Sequence, residues 1–223
     1  ILFINNSFGQ SGIKVEYSVS FIKDEITDKN TRIKTLFEES NIGAKLSHFI
    51  LNANKDQANF FAEKYNGLDK QKWEYAMIMA DYESILFVDR VFSKIYYNNP
   101  DDEFKKDKYL IQKNILKEWV INHKDTITIN GFKCYKATAK EGVVNSNGVK
   151  IQNEIVAWFT PEIPLFEPVS PSGTGKTFRL LTKTIKFKEN LEIIALSKGI
   201  EISEDEFIRI SYEASKKNKN IKD

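Results

Sequence analysis

The chain has 223 residues, 41% of them hydrophobic and 29% charged, which are the values of a globular chain and exclude a disordered one. Its 33 basic and 31 acidic residues leave a formal net charge of +2, so no global field draws in nucleic acid, and no apolar run is long enough to read as a membrane span. A single cysteine, Cys134, excludes an internal disulfide and speaks against a cysteine-based zinc site; in an alternating strand it reads as a small buried apolar side chain.

Taken in chain order, Ile1–Ile4 is apolar and Ser7–Gln10 ends in small or polar residues. This suits the tail of a cleaved secretory signal over residues 1–10, with a plain first strand as the other reading. Residues 11–215 read as one β-rich domain. Within it, Lys14–Phe21 sets Val15, Tyr17, Val19 and Phe21 against Lys14, Glu16, Ser18 and Ser20, a strand with one buried and one wet face. Ile33, Leu36 and Phe37 fit a helical stripe, whereas Leu46–Leu51 and Ala58–Lys64 fit strand or helix equally well. Gln71–Ala80 carries Trp73, Ala76, Met77 and Ala80 at helical spacing. Ser84–Val88, Ile95–Tyr97, Tyr109–Gln112 and Glu118–Asn122 read as strands, and Asn98–Asp102 as a turn, since proline presets φ and Asn and Asp close turns through their side chains.

Two β-prone runs, Thr126–Thr128 and Phe132–Ala139, flank Asn130-Gly131, a pair that tolerates the positive φ of a tight hairpin. Ile151–Phe159 then places Ile151, Ile155, Ala157 and Phe159 on one face and Val156 and Trp158 on the other, the pattern of a central strand covered on both sides. Pro161 and Pro164 end it. Arg179–Phe187 puts Leu181, Ile185 and Phe187 on one face with Lys183 interrupting, and Leu191–Ser197 reads as a short strand. Ser203-Glu204-Asp205-Glu206 is a capping box that opens a helix to about Ser215, followed by a basic, polar tail over 216–223.

Trp119, the block Ile129-Asn130-Gly131-Phe132-Lys133-Cys134-Tyr135-Lys136-Ala137-Thr138 and the block Ala157-Trp158-Phe159-Thr160-Pro161-Glu162-Ile163-Pro164 resemble, in this order, the middle of the GLPGLI family of bacterial secreted proteins. The chain departs from that pattern where the glycine-proline motif naming the family should follow Pro164, since residues 166–178 read FEPVSPSGTGKTF. The resemblance implies export, hence an address in the periplasm or at the cell surface, and implies no activity.

The residues themselves offer few sites for chemistry. Residues Gly173–Thr177 match the second half of a phosphate-binding loop, in which amides cradle phosphates, Lys176 reaches the outer phosphates and Thr177 binds magnesium. Ser170 stands where the first glycine belongs, prolines break the lead-in, and a strand pattern follows where a helix should open, so a flexible hairpin loop is the better reading. Asp89, at the end of Ile85–Asp89, lies on the wrong side in chain order for the metal-binding partner strand. His123 and Asp125 fall on one face of a strand end without a nucleophile elbow, and His48, in an apolar run, reads as a satisfied core histidine. No metal or other cofactor is expected.

The reading is therefore a mainly β, β-rich α+β domain: a strongly curved antiparallel sheet or half-open barrel, with helices between Thr31 and Ala80 and one near the C terminus. Its expected role is non-catalytic and extracytoplasmic, binding an apolar small molecule or a cell-envelope protein partner on the sheet, with Trp158, Phe159, Phe166 and Tyr135 as ligand-binding residues. The alternative is a nucleotide- or phosphate-binding enzyme that uses the Gly173–Thr177 loop.

Overall fold

The computed structural model describes residues 12–23, 27, 30–80, 82, 84–99, 108–114, 118–144, 150–163, 178–189 and 191–210. The chain is mainly β. Strand β1 (Gly12–Phe21) buries Ile13, Val15, Val19 and Phe21 and leaves Lys14, Glu16, Ser18 and Ser20 half-exposed, the alternation expected of it. Helix α1 (Thr31–Lys45) starts at Asn30, whose side-chain oxygen accepts from the amides of Arg32 and Ile33 at 3.0 and 3.3 Å. The two ambiguous runs resolve as strands, β2 (Phe49–Ala53) and β3 (Gln57–Ala62). Asn54 closes the hairpin between them by accepting from the amides of Asp56 and Gln57. Helix α2 (Lys70–Met79) follows, then β4 (Leu86–Asp89), β5 (Lys94–Asn98) and β6 (Tyr109–Asn114).

These strands belong to one eight-stranded sheet of order β10-β1-β2-β3-β4-β5-β6-β11, which includes β10 (Phe178–Lys188) and β11 (Ile200–Ser203). All its pairings are antiparallel except the parallel match of β6 to β11. One face carries the main core: Val15, Phe49, Leu51, Phe60 and Val88 pack with Ala44 of α1 and Ala76 and Met77 of α2. Phe49 and Phe60 stack with centroids 5.6 Å apart, and Tyr82 meets Phe49 edge-on at the same distance. The helices cross closely at Gly43, where the missing side chain leaves room for α2: a Cβ on Gly43 would fall 1.9 Å from the carbonyl oxygen of Lys72.

A second sheet, of order β7-β8-β9, comprises β7 (Val120–Ile129), β8 (Phe132–Val144) and β9 (Lys150–Phe159). The Asn130-Gly131 turn joins β7 to β8 with φ of 49° and 85° at the two residues, as the hairpin requires. The sheets meet where Phe132 of β8 lies 6.4 Å from Phe187 of β10, and Ile163, just beyond β9, is buried in the main core.

Several expectations change. Strand β9 is not central: among the described residues it pairs with β8 alone, and Val156 is 51% exposed, so apolar residues on both its faces do not mean cover on both. Leu181 does not share a face with Ile185 and Phe187. A bulge lies opposite Glu16 and Tyr17, where Lys183 is the extra residue, and it reverses the alternation so that Leu181 stands opposite Ser18 while Ile185 stands opposite Val15. Leu191–Ser197 forms no strand; residues 191–199 run as irregular chain. The capping box is half made: Ser203 Oγ accepts from the amide of Glu206 at 3.3 Å, but Glu206 pairs with Arg209 instead of reaching back. That helix is described over 204–210, and its expected continuation to Ser215 lies outside the described residues, as do the tail 216–223, residues 1–11 and most of the Asn98–Asp102 turn.

Candidate functional site

The expected ligand residues fall on the three-stranded sheet. Its register sets Tyr135 opposite Phe159 and Lys136 opposite Trp158, so Trp158 and Phe159 point to opposite faces and only one of them joins Tyr135. Phe159 is that one: its ring centroid is 6.1 Å from that of Tyr135, at 43°. Two further side chains gather on the tyrosine, His123 edge-on at 5.3 Å and the Lys133 ammonium 5.5 Å from the ring centroid. Tyr135 and Phe159 are half-buried, whereas His123 and Lys133 are exposed. Phe166 lies outside the described residues.

His123 reaches this cluster through an irregularity that alternation could not reveal. Asn122 pairs with Lys136 and Thr126 with the adjacent Tyr135, so His123, Lys124 and Asp125 bulge out of β7. The side chain of Asn122 holds the bulge by accepting from the amide of Lys124 at 3.0 Å. The expectation that His123 and Asp125 share a strand face therefore fails: His123 rests on Tyr135, while Asp125 pairs with Lys136, the neighbour of Tyr135 that points the other way, at 3.6 Å. His48 is corrected too, being exposed at the entry to β2 instead of buried in the core.

The other constellations resolve structurally. Asp89 accepts from the amide of Phe92 and so caps the β4–β5 hairpin. Glu204 accepts from the Tyr97 hydroxyl at 2.9 Å and pairs with Lys113 at 3.3 Å. Cys134 is buried, and burial pushes its thiol above the ordinary range, with Glu162 adding to the shift against a hydrogen bond from the backbone of Ile129. The Gly173–Thr177 loop lies outside the described residues. Among the described residues no group of three or more His, Cys, Asp or Glu is placed to hold a metal ion. No described helix is long and apolar enough to cross a membrane.

Two solved structures of PNGF-II, in the C2 and P21 space groups, share the fold of this chain with TM-scores of 0.50 and 0.53 at 16% and 17% identity. Each match covers 92% of this chain, which spans about a third of the length of PNGF-II, 33% and 34% in the two cases. At such identity the likeness is one of fold. No protein-family model and no curated protein matches the chain.

Proposed function

We propose that the protein is a non-catalytic, extracytoplasmic binding protein of the GLPGLI kind, which holds an apolar ligand or a cell-envelope protein partner through the ring pair of Tyr135 and Phe159. The observation that carries this reading is the cluster itself: two half-buried rings in register on adjacent strands, with His123 and Lys133 gathered on one of them. Rings so held offer a large apolar area at little cost in side-chain entropy, and the two polar neighbours can orient what lands there. In this reading the eight-stranded sheet is the wall of a half-open barrel and the small sheet stands at its rim, where Phe132 touches Phe187. The two sequence blocks shared with the GLPGLI proteins support export, and they include Tyr135 and Phe159.

The test is uptake of an apolar fluorescent probe, anilinonaphthalene sulfonate, by the wild type and three variants. Tyr135→Ala and Phe159→Ala should each weaken uptake roughly ten-fold, the effect of losing one well-packed aromatic contact, and Trp158→Ala should leave it unchanged. Equal loss in all three variants, or no uptake by the wild type, would overturn the assignment.

A further inference from the structure

Strands β10 and β11 are consecutive in the chain yet form opposite edges of the eight-stranded sheet, so residues 191–199 must cross it. Three contacts show the route. A Cβ on Gly12 would fall 2.7 Å from Leu191 Cδ2, the carbonyl of Ile194 accepts from Asn59 Nδ2 at 3.4 Å, and Ser197 and Asn98 exchange two hydrogen bonds at 2.9 and 3.1 Å. Gly12 alternates with Ile13, Asn59 with Phe60 and Asn98 with Tyr97, which places all three on the face away from the helices. The crossing segment is therefore a strap laid diagonally over that face, with no ladder to the strands beneath it.

One cross-strand row runs across this face from β1 to β6. Lys14 stands opposite Asn52, Asn52 opposite Asn59, Asn59 opposite Phe87, Phe87 opposite Tyr96 and Tyr96 opposite Gln112. The row spans about 24 Å at the spacing of adjacent strands. Asn52 and Asn59 are 9% and 0% exposed, and the Oδ1 atom of each is buried without a hydrogen-bond partner. Buried amide oxygens are nearly always paired, so two orphans side by side mark a place where donors are missing. Charges near the row balance, with Lys14 3.4 Å from Glu16 and Lys94 standing opposite Asp89 in the register of β4 and β5. The missing donors are therefore best supplied by neutral groups, and the rings of Phe87 and Tyr96, 6.4 Å apart, provide an apolar surface beside them.

We propose that the strap over residues 191–199 is a displaceable cover on a second binding site, whose floor is Asn52, Asn59, Phe87 and Tyr96, and which takes an uncharged, hydroxyl-rich ligand such as a short oligosaccharide. Hydroxyl groups donate to the two orphan oxygens while the C–H face of the ligand lies on the rings. Displacing the strap breaks its bonds to Asn59 and Asn98 and leaves β11 paired.

Calorimetric titration with maltotriose and with cellotriose tests this, beside hydrogen exchange read over 191–199. The expected result is saturable binding of at least one of the two, faster exchange of the strap when it binds, and affinity raised about five-fold by Asn98→Ala, which removes hydrogen bonds holding the cover. Asn59→Leu should abolish the binding, and Tyr96→Ala, at a half-exposed position, should weaken it roughly ten-fold while the protein keeps its cooperative urea transition. No binding of either sugar by the wild type and by Asn98→Ala overturns the proposal, as does binding that survives both floor variants. A crystal structure showing a water molecule bridging Asn52 Oδ1 and Asn59 Oδ1 beneath the closed strap also overturns it, since the acceptors are then already satisfied.

Discussion

Gly43→Ala is expected to destabilise the protein, although the same change in the middle of an ordinary helix stabilises it. Alanine is favoured over glycine in a helix interior by about 0.5–1 kcal/mol, chiefly through the entropy of the unfolded chain. At Gly43 the added Cβ would stand 1.9 Å from the Lys72 carbonyl oxygen, 2.4 Å from its carbon and 2.9 Å from the Trp73 nitrogen. All three are backbone atoms of α2, so no side chain can swing aside; α2 must move, and it carries Ala76 and Met77 into the core. Overpacking of this kind costs about 1–3 kcal/mol, occasionally more, and outweighs the gain, leaving a net loss of about 1–2 kcal/mol. For a chain of this length that lowers the thermal midpoint by about 2–8 °C. Urea unfolding followed by tryptophan fluorescence measures it directly, because Trp73 sits at the contact. An unchanged or raised midpoint would refute the close approach of the two helices.

Gly131→Ala meets no atom within 4 Å and so reports backbone strain alone; with φ at +85° it should cost about 1 kcal/mol in the same urea assay. Burial pushes the phenols of Tyr17 and Tyr82 up, the latter against a hydrogen bond from the backbone of Ala62. A phenol raised in the folded state ionises first in the unfolded chain. Stability should therefore hold up to about pH 9 and fall as pH rises past about 10, the ordinary tyrosine value. Tyr17→Phe should flatten that fall, and urea midpoints between pH 8 and 11 that keep the wild-type slope would exclude the assignment.

How much of this was legible in the sequence depends on where the chain obeys a simple period. In β1 the run from Val15 to Phe21 alternates without interruption, and its buried face follows directly. At Asn130-Gly131 the turn residues state the conformation by themselves. In α2 and at its C-terminal cap, Ala76, Met77 and Ala80 recur at helical spacing and are all buried. Periodicity fails where one strand carries a residue that its partner does not. Lys183 reverses the faces of β10, and His123 to Asp125 leave the ladder of β7, because a bulge is fixed by both strands of a pair and only one is seen at a time. Asn52 and Asn59 could have been noticed as amides inside runs that are otherwise apolar, but their pairing depends on the register of β2 against β3. The strap was the least accessible, since Leu191 and Ile194 are apolar enough to suggest a strand, and what they do instead is set by the need to join two distant edges.

That arrangement of edges also fixes an order of assembly. Strands β1 to β6 lie side by side in chain order, so they can pair as they emerge, and the β7–β8 hairpin closes on local contacts alone. The outer side of β1 waits for β10, with Phe21 meeting Phe178, and the outer side of β6 waits for β11. Until residue 188 has been made, a six-stranded intermediate presents unpaired backbone along both borders, and the border at β6 stays open until residue 203, a template on which chains aggregate. Contacts that span so much sequence close slowly. Refolding yield should therefore depend on protein concentration until the last pairings form, which makes β10 and β11 the part of the chain that keeps its copies apart.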